Sequence, residues 1–135
     1  MKKVMAFGTF DIFHKGHESY LKQAKKAGDY LIAVVARDKT VLSVKNKKSG
    51  NSEQKRKRIL RNSDLADEVI LGDLENKYAA IGEYQPDVIA LGYDQKVDLT
   101  ELKAKLKEFK LRSKIVRLKS HKPEIYKSSK LKNLK

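Results

Sequence analysis

The sequence predicts an α/β fold: a Rossmann-like, doubly wound, mostly parallel sheet of five strands with helices on both faces. Three observations point there. Short apolar runs alternate with helical stretches about five times along the 135 residues. The run at 30–36 is apolar throughout and rich in Val and Ile, as a strand covered on both faces must be. The runs end at Gly8-Thr9-Phe10-Asp11, Arg37-Asp38, Gly72-Asp73 and Gly92-Tyr93-Asp94-Gln95; three of the four begin with Gly and all contain Asp. In such sheets ligands bind beyond the carboxyl ends of the strands, where the winding direction reverses.

Each element has its own warrant. Residues 3–7 read as a buried strand ending at Gly8. Residues 17–27 read as a helix, with Tyr20, Leu21, Ala24 and Ala27 near one face and Gly28 as a C-terminal stop. A strand follows at 30–36. Residues 38–51 are polar, basic and broken by Gly50-Asn51, and are expected to be a loop. Ser52 opens a helix to Asn62, with Ile59 and Leu60 inward. Residues 68–71 form the third strand, 76–84 a helix stopped before Pro86, and 87–91 the fourth strand. Leu99, Leu102, Leu106 and Phe109 mark an amphipathic helix, 115–118 the fifth strand, and 128–135 a short terminal helix. No repeat or Pro/Ser-rich linker divides the chain, so 1–135 is expected to be one domain.

Composition excludes several classes. No apolar run approaches the roughly 20 residues of a membrane span. The apolar N-terminal stretch stops at Gly8, too early for a signal-peptide core. With no Cys there is no disulfide, thiolate metal site or Cys nucleophile. A cytoplasmic location is the simplest expectation. The net charge of +14 is concentrated. Residues 45–61 hold eight Lys/Arg against one Glu, and 103–135 hold thirteen against two acidic residues. Such patches suit a phosphate-bearing partner. A nucleic-acid partner is disfavoured, because aromatics are only 7% and no ribonucleoprotein motif occurs.

The chemistry concentrates in Gly8-Thr9-Phe10-Asp11-Ile12-Phe13-His14-Lys15-Gly16-His17. A strand ends, a short loop follows, and two histidines stand at the mouth of the next helix. That helix start offers free N–H groups and a positive dipole end. Gly16 lets the backbone approach a ligand closely. His14 and His17 can then donate to one phosphate and offset charge developing on phosphorus. A zinc site would need a third ligand, and the only other histidine is His121.

The same residues resemble the signature of the cytidylyltransferase-like nucleotidyltransferases. Members join a nucleoside triphosphate to a phosphate-bearing acceptor and release pyrophosphate. The resemblance runs the length of the chain. It implies catalytic roles for His14, His17, Lys48 and Arg56, and nucleotide contacts from Gly8, Thr9, Phe10, Gly16, Gly92, Asp94, Ser128 and Ser129. Mg²⁺ is the ion implied, with Asp11 as its partner. The basic segment 119–135, with Pro123-Glu124-Ile125 and Lys127-Ser128-Ser129-Lys130, resembles the final loop and helix that complete the family's site. Val35-Ala36-Arg37-Asp38 and Leu91-Gly92-Tyr93-Asp94-Gln95 resemble the archaeal-type FMN adenylyltransferases. Pro123-Glu124-Ile125 instead resembles the glycerol-3-phosphate cytidylyltransferases. The expected partners are therefore ATP with FMN or, alternatively, CTP with a small alcohol phosphate. A homodimer is also expected, as relatives are frequently dimers.

Overall fold

The computed structural model describes residues 1–93 and 95–119. Five strands, β1 (Lys3–Gly8), β2 (Tyr30–Val35), β3 (Glu68–Leu71), β4 (Val88–Leu91) and β5 (Lys114–Arg117), form one sheet in the order β3-β2-β1-β4-β5. Every pairing is parallel: Val4 lies opposite Leu31 and Val88, Ile32 opposite Glu68, and Ile89 opposite Ile115. The winding reverses between β1 and β4, so their carboxyl ends flank the crevice.

Side-chain alternation along β1 explains the two layers. Val4 and Ala6 face α1 (Lys15–Lys26) and α3 (Glu53–Asn62), with Leu21, Ala24 and Leu60 completing that core. Met5 faces the opposite way, into a core closed by α4 (Ala79–Tyr84) and α5 (Leu99–Glu108) through Ile81, Leu102 and Leu106. The central strands are apolar on both faces because both faces are covered. Among the described residues, no helix is long and apolar enough to cross a membrane.

Helix α1 ends just before Gly28, as expected: Ala27 caps it in a right-handed conformation, and Gly28 is required because a Cβ there would meet the Lys2 carbonyl at 2.8 Å. Three expectations need correction. Part of the expected 38–51 loop is helical, as α2 (Asp38–Lys45), ended by Asn46 in the left-handed region at φ 57°. Helix α4 starts three residues later than expected. Asp73 accepts from the N–H groups of Glu75 and Asn76 at 2.8 Å each, and this turn competes with helix initiation. Leu99 is 39% exposed rather than inward, since it is the first residue after the Asp98 cap. The expected terminal helix at 128–135 lies outside the described residues.

Candidate active site

The crevice between β1 and β4 opens into a cavity of about 790 Å³. The loop from Gly8 to His14 forms one wall, and the turn at Gly92 and Tyr93 forms the other. Gly8 is small for a reason: a Cβ would meet the Phe10 ring at 2.8 Å. Phe10 takes a positive φ of 52° and is buried, its ring edge-on to His17 at 5.4 Å and stacked on Tyr20 at 6.2 Å. Phe10 therefore shapes the loop from beneath while lining the cavity floor.

His14 caps α1. Its Nδ1 accepts the Gly16 N–H at 3.0 Å, and His17 Nδ1 accepts the His14 N–H at 3.3 Å. The two rings stack at 3.9 Å with 19° between their planes. A Cβ on Gly16 would strike the His14 ring at 2.8 Å, so only glycine permits this cap. Because each Nδ1 is an acceptor, Nε2 is the ring nitrogen that carries a proton on both histidines. Burial, then His14, then Lys45 depress the His17 pKa to about 4. At neutral pH His17 is thus an uncharged donor, and the local positive potential comes from the helix end and nearby lysine.

Several other groups hold the walls. Tyr20 Oη donates to the Ala90 carbonyl at 2.8 Å and accepts the Phe7 N–H at 3.2 Å, bridging β1 and β4 where they part. Burial raises its pKa. Gln95 donates to the Phe7 carbonyl at 3.1 Å and accepts the Gly92 N–H at 3.0 Å. Arg117 donates to the carbonyls of Gly92 and Gln95.

The predicted site residues separate in space. Gly8, Thr9, Phe10, Asp11, His14, Gly16, His17 and Gly92 all line the cavity. Lys48 is exposed and does not line it; Lys45, the last residue of α2, does. Arg56 is fully buried. Its guanidinium donates to Thr9, Ala36 and Asn51 carbonyls at 2.8, 2.8 and 3.1 Å and to Asp38 at 2.7 Å. It faces internal acceptors, in contrast to the expected phosphate contact. Asp11 accepts the N–H groups of Gly50 and Asn51 at 2.7 and 2.8 Å, which hold its carboxyl below the usual range. No group of three or more His, Asp or Glu converges on it among the described residues. The donor set does not fit a protein-held Mg²⁺ at Asp11. Asp94, Ser128 and Ser129 lie outside the described residues.

Sequence reasoning missed Tyr20, Lys45, Gln95 and Arg117 as parts of the site. Helical spacing held one unused signal: Tyr20 follows His17 by three residues, so the two share a face.

The parallel sheet, its crevice and the histidine-capped helix define a nucleotidyltransferase, and comparison with known proteins makes the assignment firmer. The model of the cytidylyltransferase-like family matches residues 5–134, and the chain belongs to that family. An FAD synthase of Ferroglobus placidus is 46% identical over 121 residues, covering 89% of this chain and 78% of the relative. One of Picrophilus torridus is 40% identical over 127 residues, covering 94% and 91%. A crystal structure described as a lipopolysaccharide core biosynthesis protein from Thermoplasma volcanium superposes with a TM-score of 0.84 at 41% identity, covering 90% of this chain and 98% of that one.

Proposed function

We propose that this chain is an FAD synthase, which transfers the adenylyl group of ATP to FMN and releases pyrophosphate. The observation that carries the reading is the stacked histidine pair, whose Nε2 groups bond to no acceptor among the described residues, at the mouth of a cavity large enough for a nucleotide. The relatives named FAD synthase support the choice of substrates.

An FMN phosphate oxygen attacks the α-phosphorus of ATP in line, and the bond to the pyrophosphate oxygen breaks. No covalent intermediate is required when both reactants are aligned. His14 and His17 donate through Nε2 to oxygens that gain charge in the transition state. The N–H groups of the first turn of α1 and the Lys45 ammonium add to the positive field. A divalent cation would supply counter-charge to the triphosphate, and no set of described residues is placed to hold it.

The test is chromatographic detection of FAD from ATP and FMN, beside CTP with glycerol 3-phosphate. FAD formed only with ATP and FMN supports the reading. Turnover with the cytidylyl pair alone replaces it with the alcohol-phosphate cytidylyltransferase.

A further inference from the structure

A second cavity opens beside the first and takes no part in the chemistry above. It measures about 210 Å³ and lies on the α4–α5 face of the sheet. Ile81, Ile89, Leu91 and Leu102 form its floor, none more than 3% exposed. Phe7 and Gln95 line both cavities, so the two share a wall at the point where β1 and β4 diverge. The rim is polar. Lys77 and Lys96 stand there, and the Lys77 ammonium lies 5.4 Å from the Tyr78 ring centre. Tyr78 itself is fixed by a 2.6 Å bond from its hydroxyl to Glu101.

We propose that this cavity receives the tricyclic isoalloxazine ring of FMN, while the ribityl phosphate arm crosses the Phe7–Gln95 wall to the histidines. The inference rests on the FAD synthase reading. Three features of the cavity support it. A flat aromatic ring needs apolar floor and walls with a few placed polar groups, which is the composition here. In-line transfer needs donor and acceptor to approach phosphorus from different sides. The larger cavity takes the triphosphate, and the smaller one opens across the shared wall. The rim carries Asp98 as well as the two lysines, and Lys77 pairs with Glu101 at 3.4 Å; Lys96 and Lys77 can still donate to the pyrimidine edge of a flavin, whose two carbonyl oxygens accept hydrogen bonds. A glycerol phosphate has no apolar body to place in such a slot, so the cavity favours flavin over small alcohol phosphates.

The test uses Val97→Trp, because Val97 lines the cavity from a loop and is only partly buried. Binding of FMN and of lumiflavin, the ring without its phosphate arm, is followed by flavin fluorescence, which Tyr78 in contact would quench. The expected result for Val97→Trp is a KM for FMN raised at least tenfold, an ATP KM within twofold of wild type, and loss of lumiflavin quenching. A folded Val97→Trp protein with an unchanged FMN KM overturns the proposal. Should that variant not fold, Lys77→Ala decides: a severalfold rise in FMN KM alone upholds the slot, and no change overturns it. Failure of the wild type to make FAD is a separate outcome that removes the FAD synthase reading. Lumiflavin quenching then judges the cavity alone, and its absence overturns the slot.

Discussion

Arg56 offers the sharpest test of how the site is held. Its side chain is fully buried and makes four hydrogen bonds from one guanidinium. Replacing it with Ala strips donors from three carbonyls and one carboxylate together. At the low end of values for charged donors, about 1.5 kcal/mol each, the four bonds set a ceiling of about 6 kcal/mol. Asp38 is half exposed, and water entering the vacated space restores part of this, leaving a loss of about 4 kcal/mol. For a chain of this size that lowers Tm by about 12–20 °C. Urea unfolding followed by circular dichroism measures the loss. Arg56→Lys keeps the charge without the fork and is expected to lose about 2–3 kcal/mol. In the folded Lys variant the Thr9 loop loses a tether, so the KM for ATP rises. The reasoning is refuted if Arg56→Ala loses less than about 1 kcal/mol of stability while kcat falls about a thousandfold. That pattern would mean the guanidinium leaves its internal acceptors and touches phosphate.

Other outcomes follow from the same geometry. His17→Ala removes one Nε2 donor and is expected to lower kcat/KM about 10²–10³-fold, read by pyrophosphate release. Lys45→Ala is expected to raise the KM for ATP about tenfold, while Lys48→Ala changes it little, because Lys45 lines the cavity and Lys48 does not. Gly16→Ala drives a Cβ into the His14 ring and is expected to lower activity through displacement of that ring, visible in histidine ¹⁵N spectra. The depressed His17 pKa, about 4 against an unfolded 6.5, means the unfolded chain binds the extra proton first. Stability is therefore full above pH 6.5 and declines as pH falls toward 4. Allowing for partial exposure, the loss attributable to His17 is about 1–2 kcal/mol. Denaturation midpoints of wild type and His17→Gln across that window should converge as pH falls.

The strands and the histidine loop were legible because their signals are local. A buried parallel strand needs an apolar run, and a helix-mouth phosphate site needs its residues within one turn. Helix α2 was hidden because Val41 is its one buried residue, so no apolar stripe marks it. Lys45 vanished with it. Arg56 was hidden for another reason. In Lys55-Arg56-Lys57-Arg58 composition cannot choose among four cations, and only the phase of the helix does. Arg56 is four residues before the buried Leu60, hence on the inward face. Gln95 and Arg117 act on carbonyls far along the chain, a relation that depends on β4 pairing with β5.

These hidden residues share one electrostatic task. The carboxyl ends of parallel strands present carbonyl oxygens, which repel phosphate. Here the carbonyls around the crevice are occupied: Phe7 by Gln95, Thr9 and Ala36 by Arg56, Ala90 by Tyr20, Gly92 by Arg117. Each donor cancels part of a negative dipole that a triphosphate would otherwise meet. The positive end of the α1 dipole remains beside the crevice, although the His14 and Gly16 N–H groups are themselves taken up by the histidine cap. Two of the four donors are arginines committed to the frame, so they act on the substrate through the carbonyls they neutralise. His17 then needs no charge of its own, and both rings use Nε2 as the donor. They sit in a field already made positive and supply directed donors at the one place where charge builds during transfer.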